Sequence, residues 1–203
     1  MLKLSRQVDY GSEPYAFALP DTDGTIRRLE EFTKGEALLV AFICNHCPGV
    51  LHILDGFIEF ANEYMPKGLE IVAISSNDPA EFEEDCSASM AEMAKERGFP
   101  FPYLFDETQD VALAYGAICT PDFFLYDGEM KLAYCGQFDP SRPHLPFPPL
   151  EGTEMYRRGM AVTGEDMRRA VDALLAGKPA PQPQTPSAGC SIKWKPGKTP
   201  SWG

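Results

Sequence analysis

Positive charge is scarce in this chain: 18 lysines and arginines stand against 30 aspartates and glutamates, for a formal charge of −12. A surface of that sign repels nucleic-acid phosphates and anionic lipid, so neither is expected as a partner. The same acidity favours solubility. No transmembrane run is present. Residues 1–10 carry neither the apolar core nor the small-residue cleavage site of a secretion signal. These absences lead to the expectation of a cytoplasmic protein. In a reducing compartment the six cysteines are not expected to form a structural disulfide framework. They are instead thiols with a task, or small buried apolar residues. The 203 residues, 44% hydrophobic, suffice for one well-buried domain with extra segments.

What is present is concentrated in Ile43-Cys44-Asn45-His46-Cys47-Pro48. The apolar residues 37–43 run directly into two cysteines spaced C-x-x-C, and an apolar-periodic segment follows. Strand, cysteine pair and helix together make a reactive dithiol. A helix N-terminus carries unpaired N–H groups and partial positive charge, which favour a thiolate over a thiol. His46 can add a second positive charge beside it. Thiol–disulfide exchange needs a thiolate attacker and a nearby second thiol to release the mixed disulfide.

The rest of the chain supplies an alternating frame. Phe17 to Ile26, turning at Gly24, reads as an N-terminal hairpin. Residues 37–43 form a continuously apolar strand, expected when both sheet faces are covered. Val50, Leu51, Leu54, Phe57, Ile58, Ala61 and Tyr64 fall on one helical stripe, with Pro48 just inside the helix. Residues 69–75 form a second buried strand, making a right-handed parallel unit with the first. A helix over 78–97, a strand over 101–105 and a short helix stopped at Gly116 follow. Thr120-Pro121 introduces a strand, Asp127-Gly128 a tight hairpin, and residues 131–137 the returning antiparallel strand. Residues 138–162 read as a long Pro-rich loop, and Thr163…Asp166 as a capping box opening a last helix. Residues 1–178 are thus expected to form one domain, and 179–203 a Pro-rich basic tail. That tail has six prolines, no acidic residue and both tryptophans, Trp194 and Trp202. It either docks on the acidic body of its own or a neighbouring subunit or is a frayed end.

This order, with Cys44-Asn45-His46-Cys47 at the first strand–helix junction and Thr120-Pro121 before a hairpin, resembles the thioredoxin superfamily. The N-terminal hairpin and the helix-plus-strand insertion resemble its peroxiredoxin-like (AhpC/TSA, redoxin-domain) branch. The runs around Cys44, Cys119 and Cys190 resemble a bacterial thioredoxin-family group within it. The resemblance implies an α/β, three-layer α/β/α thioredoxin-like fold around a central mixed sheet. It implies Cys44 as nucleophile, Cys47 as resolving thiol, and Pro121 as the superfamily's cis-proline, presenting the Thr120 backbone to an extended substrate. His46 also occurs in oxidising members, so the pair is expected to be less reducing than ordinary thioredoxin. Ile43 replaces the usual aromatic before the first cysteine. The buried acid of ordinary thioredoxins has no counterpart in residues 38–41, so proton transfer at Cys47 must use another group or water.

The expected activity is thiol–disulfide oxidoreduction of a protein or small-molecule disulfide, recycled by a cellular dithiol donor, with a homodimer possible and no organic cofactor or metal required. A peroxiredoxin-like peroxidase using Cys44 is the nearest alternative, although Ala37 and Ala41 stand where its Pro and Thr/Ser would be. Arg142 can approach Cys44 or simply lie at the surface. Cys119 can modulate the dithiol or pack. Cys190 can reach Cys44 as a second resolving thiol, tether a partner, or stay idle. A non-enzymatic module remains a third reading: metal held by Cys44, Cys47 and His46 or His52, or redox sensing. Cys86 is expected to be inert because Glu83, Glu84 and Asp85 oppose its ionisation. Cys135 is expected in the core, His52 as a surface or satisfied histidine, and His144 in solvent.

Overall fold

A computed structural model describes residues 2–6, 8–143 and 157–202. In chain order the elements are β1 (Leu2–Leu4), β2 (Ala18–Pro20), β3 (Ile26–Arg28), β4 (Ala37–Phe42), α1 (Pro48–Tyr64), β5 (Leu69–Ser75), α2 (Ser87–Arg97) and β6 (Tyr103–Phe105). They continue with α3 (Asp110–Tyr115), β7 (Cys119–Thr120), β8 (Asp122–Asp127), β9 (Leu132–Cys135), β10 (Ser141–Arg142), β11 (Arg157–Arg158), α4 (Glu165–Leu175) and β12 (Ala188–Ser191). His144 and much of the Pro-rich loop lie outside the described residues.

β4 is buried along its whole length and stands at the centre of a five-stranded sheet ordered β6-β5-β4-β8-β9. β6, β5 and β4 run parallel, and β8 and β9 are antiparallel to their neighbours. Alternation along β4 divides the core. Leu39 and Ala41 face α1 and α4, against Val50, Phe57, Met167 and Val171. Leu38, Val40 and Phe42 face α3 and the β2–β3 hairpin, against Phe17, Leu19, Ala112 and Tyr115. The result is the three-layer α/β/α arrangement around a mixed sheet.

Four details differ from the sequence reading. Leu51 is 44% exposed, and the buried stripe of α1 is Val50, Ile53, Leu54, Phe57, Phe60, Ala61 and Tyr64. The second helix begins only at Ser87, after a 3-10 turn over Glu83–Asp85. The β8–β9 connection is wider than a two-residue hairpin: Asp127 N donates to Lys131 O, and the Asp127 carboxylate accepts from Glu129 N and Lys131 N. The left-handed position there is Met130, φ 57°. The start of α4 is held differently too. The N-cap is Gly164, and buried Asp139 accepts from Thr163 N and Gly164 N at 2.7 Å each. A carboxylate there satisfies donors that a capping box would otherwise serve and complements the helix dipole.

The tail packs on its own body. β12 joins a small sheet between β1 and β7. Trp194 packs against the α3 side of the core, Arg6 lies over the Trp202 ring at 4.1 Å, and Lys198 pairs with Asp110 at 2.6 Å.

Asp139 also accepts from Ser141 N and Ser141 Oγ, so its removal strands several buried donors. Asp139→Ala is expected to cost roughly 2–4 kcal/mol. The measurement is the urea midpoint at unchanged m-value.

Candidate active site

β4 ends at Phe42, and α1 opens at Pro48 with Cys47 as its N-cap residue in extended conformation (φ −69°, ψ 119°). A proline is tolerated there because the first N–H groups of a helix have no partner inside it. The sulfur set directly at the helix head is therefore that of Cys47, with Cys44 in the turn before it. Both are free thiols and both are buried, at 1% and 0% exposure.

Thr120 touches both sulfurs. Its hydroxyl lies 3.2 Å from Cys44 Sγ, and its carbonyl accepts the Cys47 thiol hydrogen at 3.0 Å. The Thr120–Pro121 peptide bond is cis. Residues far apart in sequence are brought here by the β4–β8 pairing, which sets Phe42 opposite Asp122.

Asp85 is a site residue that the sequence reading missed. It is fully buried and accepts from His46 Nδ1 at 2.5 Å, Asn45 N at 2.8 Å and Asn77 Nδ2 at 2.8 Å. His46 Nδ1 also lies 4.0 Å from Cys44 Sγ. The imidazole stacks on Phe82 with centroids 3.8 Å apart and planes 6° from parallel. Tyr103 Oη donates to Asn45 Oδ1 at 3.1 Å. Histidine, carboxylate and ring stack thus hold the x-x pair of the motif rigidly. Its sequence signal was the acidic run before Cys86, read only for its effect on that cysteine.

The charges differ from the expectation. Burial pushes the Cys44 thiol well above the ordinary cysteine range; Cys47 and Asp85 add to this, and the Thr120 hydroxyl opposes it. Cys47 is held well below that range by hydrogen bonds from the Cys190 thiol and then from Cys44, against burial. The two buried thiols are thus pushed in opposite directions, Cys44 up and Cys47, the sulfur at the helix head, down. Burial raises Asp85, but hydrogen bonds from His46, Asn77 and Asn45 outweigh it and hold the carboxyl below the aspartate range. Asp122, next to Pro121, is pushed up to about 7 by burial, with Ser5 Oγ donating to it at 2.5 Å. It is a buried acid supplied by β8, on the strand beside the one where the sequence reading sought it.

The remaining residues are placed plainly. Arg142 donates to Asp139 O, Ser141 O and Gln137 Oε1, in the wall of a small cavity that also includes Gly49 and Pro121. Cys119 is buried, donates to Pro121 O at 3.7 Å, and is raised by burial. Cys135 is buried in the core. His52 Nε2 lies 3.0 Å from Ser141 Oγ, a satisfied histidine away from the sulfurs. Cys86 departs from expectation: Ser89 lowers its pKa, and the opposing charge of Glu83 is the smaller effect. Cys190 is half-buried and packs against the cluster that holds Cys44 and Cys47, and it is with Cys47 that its ionisation is linked.

Cys44, His46 and Asp85 also form a cluster whose ligand atoms lie within 4.8 Å of one another. Two ligands on one tetrahedral zinc are separated by about 3.3 Å. The 2.5 Å between His46 Nδ1 and Asp85 Oδ2 is a hydrogen-bond distance instead. The donor set thus differs from the Cys44, Cys47 and histidine set read from the sequence, and its spacing fits a hydrogen-bonded pair.

Two pH dependences follow. Asp85 has a depressed native pKa, so its stabilisation is present above the unfolded aspartate value and is lost as pH falls through the native one. Asp85→Asn is expected to cost about 3 kcal/mol at pH 7, and the gap to wild type closes in acid. Asp122 has a raised native pKa, so native protein binds the extra proton between the unfolded value and about 7. Wild type is expected to lose on the order of 4 kcal/mol relative to Asp122→Asn as pH rises through that window. Denaturation midpoints from pH 3 to 8 check both signs.

Residues 11–135, more than half of the chain and including Cys44, Cys47, Thr120 and Pro121, match the AhpC/TSA family. Peroxiredoxin Q of Populus jackii is 28% identical over 67% of this chain and 64% of its own length, so the chain spans just under two thirds of that relative. Thiol-disulfide oxidoreductase ResA of Bacillus thuringiensis subsp. konkukian is 24% identical over 62% of this chain and 68% of its own. The crystal structure of an uncharacterized conserved protein from Geobacillus kaustophilus is 46% identical, with a TM-score of 0.85, covering 97% of each chain. Solved thioredoxin-family and peroxiredoxin-type chains share the fold. On its own residues and on this match, the chain belongs to the AhpC/TSA family.

Proposed function

We propose that the protein is a thiol–disulfide oxidoreductase that acts through Cys44 and Cys47. The observation that carries this reading is the joint contact of Thr120 with both sulfurs at the head of α1. Relatives in the family that are thiol-disulfide oxidoreductases support it. The substrate is a disulfide. Cys44 Sγ attacks one substrate sulfur, and the other leaves and takes up the Cys44 proton. Cys47 then attacks Cys44 Sγ, and its proton passes to the departing second substrate sulfur, releasing the substrate as a dithiol and leaving a Cys44–Cys47 disulfide. A cellular dithiol returns the two electrons, which suits a reducing compartment.

A second reading has a specific support. Cys44 lacks the threonine expected at position 41, but the Thr120 hydroxyl stands 3.2 Å from its sulfur and can hydrogen-bond a peroxide oxygen. Peroxiredoxin Q relatives agree with it. In that reaction Cys44 Sγ attacks one peroxide oxygen and becomes a sulfenic acid while the other oxygen leaves as water or an alcohol, and Cys47 then condenses with the sulfenic acid, releasing water.

Insulin-disulfide reduction separates the two. Cys44→Ser and Cys47→Ser are each expected to lower it by at least about 100-fold, because one loses the attacker and the other the release step. Retained insulin reduction in Cys47→Ser overturns the exchange reading. Peroxide consumption retained by Cys47→Ser with added thiol, and lost in Cys44→Ser, establishes the peroxidase instead. Stoichiometric metal on the purified protein, lost in His46→Ala, establishes a binding module.

A further inference from the structure

Both sulfurs of the dithiol are closed off, and part of the cover is the chain's own C-terminal strand. β12 runs antiparallel to β7, with Cys190 opposite Thr120 and Ser191 opposite Cys119. On its other side β1 pairs with it, Leu2 opposite Cys190. The approach is as close as backbone allows. A Cβ at Gly189 would stand 2.0 Å from Thr120 O and 2.5 Å from Thr120 C, so only glycine fits. Beyond the strand, Ile192 N donates to Ile118 O, Lys193 N to Asn77 Oδ1, and Lys195 N to Gln109 Oε1. Lys193 O accepts from Asp78 N and Gln109 Nε2. The strand presents a cysteine: Cys190 stands opposite Thr120, whose carbonyl contacts Cys47 Sγ, and it packs against the apolar cluster that contains both Cys44 and Cys47.

An extended chain paired at the Thr120 backbone with a sulfur against the dithiol is the pose that a disulfide-bearing peptide substrate must adopt. We infer that β12 is a resident occupant of the substrate groove and that Cys190 is a third redox residue, exchanging with Cys47. The inference rests on the dithiol reading for its place in turnover. In the oxidised protein, the Cys190 thiolate attacks Cys47 Sγ of the Cys44–Cys47 disulfide. The Cys47–Cys190 bond forms, the Cys44–Cys47 bond breaks, and Cys44 leaves as a thiolate that takes up the proton given up by Cys190. The step is an isomerisation with no net oxidation. In the reduced protein the hydrogen bond to Cys47 raises the Cys190 thiol first, and burial raises it further. Forming the Cys44–Cys47 disulfide leaves Cys47 no ionisable thiol and so removes that restraint. An incoming extended substrate has to displace β12 to pair with Thr120.

The test is disulfide mapping of the full chain after one equivalent of diamide, which accepts the two electrons and two protons of one dithiol. In Cys44→Ser an intramolecular Cys47–Cys190 bond is expected as the main product. Wild type is expected to give Cys44–Cys47 together with Cys47–Cys190. A Cys44–Cys47 bond in wild type with no Cys47–Cys190 bond in either protein overturns the role of Cys190 while leaving the dithiol reading intact. Neither bond in wild type overturns both. The covering role is read separately from Gly189→Val, whose added side chain pushes β12 off Thr120. Iodoacetamide is expected to label Cys44 on the order of tenfold faster in that variant than in wild type. An unchanged labelling rate in a variant with wild-type circular dichroism overturns β12 as the cover.

Discussion

Thr120 is the residue on which this arrangement turns. Its hydroxyl meets Cys44, its carbonyl meets Cys47, and its backbone pairs with Cys190. The carbonyl also sets the clearance that only glycine satisfies at 189. Three segments separated by seventy residues or more therefore share one amino acid as their meeting point. It is fixed from below by β8, whose first residue lies opposite the last residue of β4. A change in the register of that pair would move the threonine away from both sulfurs at once, since side chains alternate faces along a strand.

Around this point the protein holds three sulfurs in one buried site, and they do not all ionise together. Low polarity penalises each charge, while each neighbouring thiol can donate a hydrogen bond to the one that carries it. Cys47, at the helix head, is pushed below the ordinary cysteine range by its neighbouring thiols. Cys44 is disfavoured by its own burial and by the carboxylate of Asp85 beyond His46. The arrangement thus disfavours a thiolate at Cys44 in the closed, reduced protein. Reactivity at Cys44 is thereby tied to the state of Cys47, and not to a free-standing low pKa.

Local pattern made much of the frame legible. The apolar run ending at Phe42, the proline opening α1 and the Thr120-Pro121 pair announce themselves because each depends on neighbours in sequence. What the sequence concealed depends on distant partners. Leu51 and Phe60 are both apolar and both near the helical stripe, and only the placement of α4, Phe101 and Phe138 decides that Phe60 is the buried one. Asp85 sits in an acidic run, where a solvated face is the ordinary expectation; its burial follows from folding the insertion back over His46. The capping of α4 by Asp139 joins residues 24 and 25 positions apart, and no spacing rule reaches that far. The placement of Cys190 opposite Thr120 is likewise set by strand register at β7.

The same distant pairing connects the cover to the chemistry. Asn77 is almost fully buried and uses both ends of its amide: Oδ1 accepts from Lys193 N of the tail, and Nδ2 donates to Asp85. Asp85 in turn holds His46, which lies beside Cys44. When the tail is in place, Asn77 is oriented by a backbone donor and delivers its own donor to the carboxylate. When the tail leaves, that backbone donor goes with it, and the amide loses the bond that fixed which end faces Asp85. A buried carboxylate that loses one of its donors carries its charge less easily, because nothing else at that depth replaces the hydrogen bond. Removing the tail therefore does two things in one motion: it opens the Thr120 edge to an extended chain, and it loosens the acid that steadies the histidine next to Cys44.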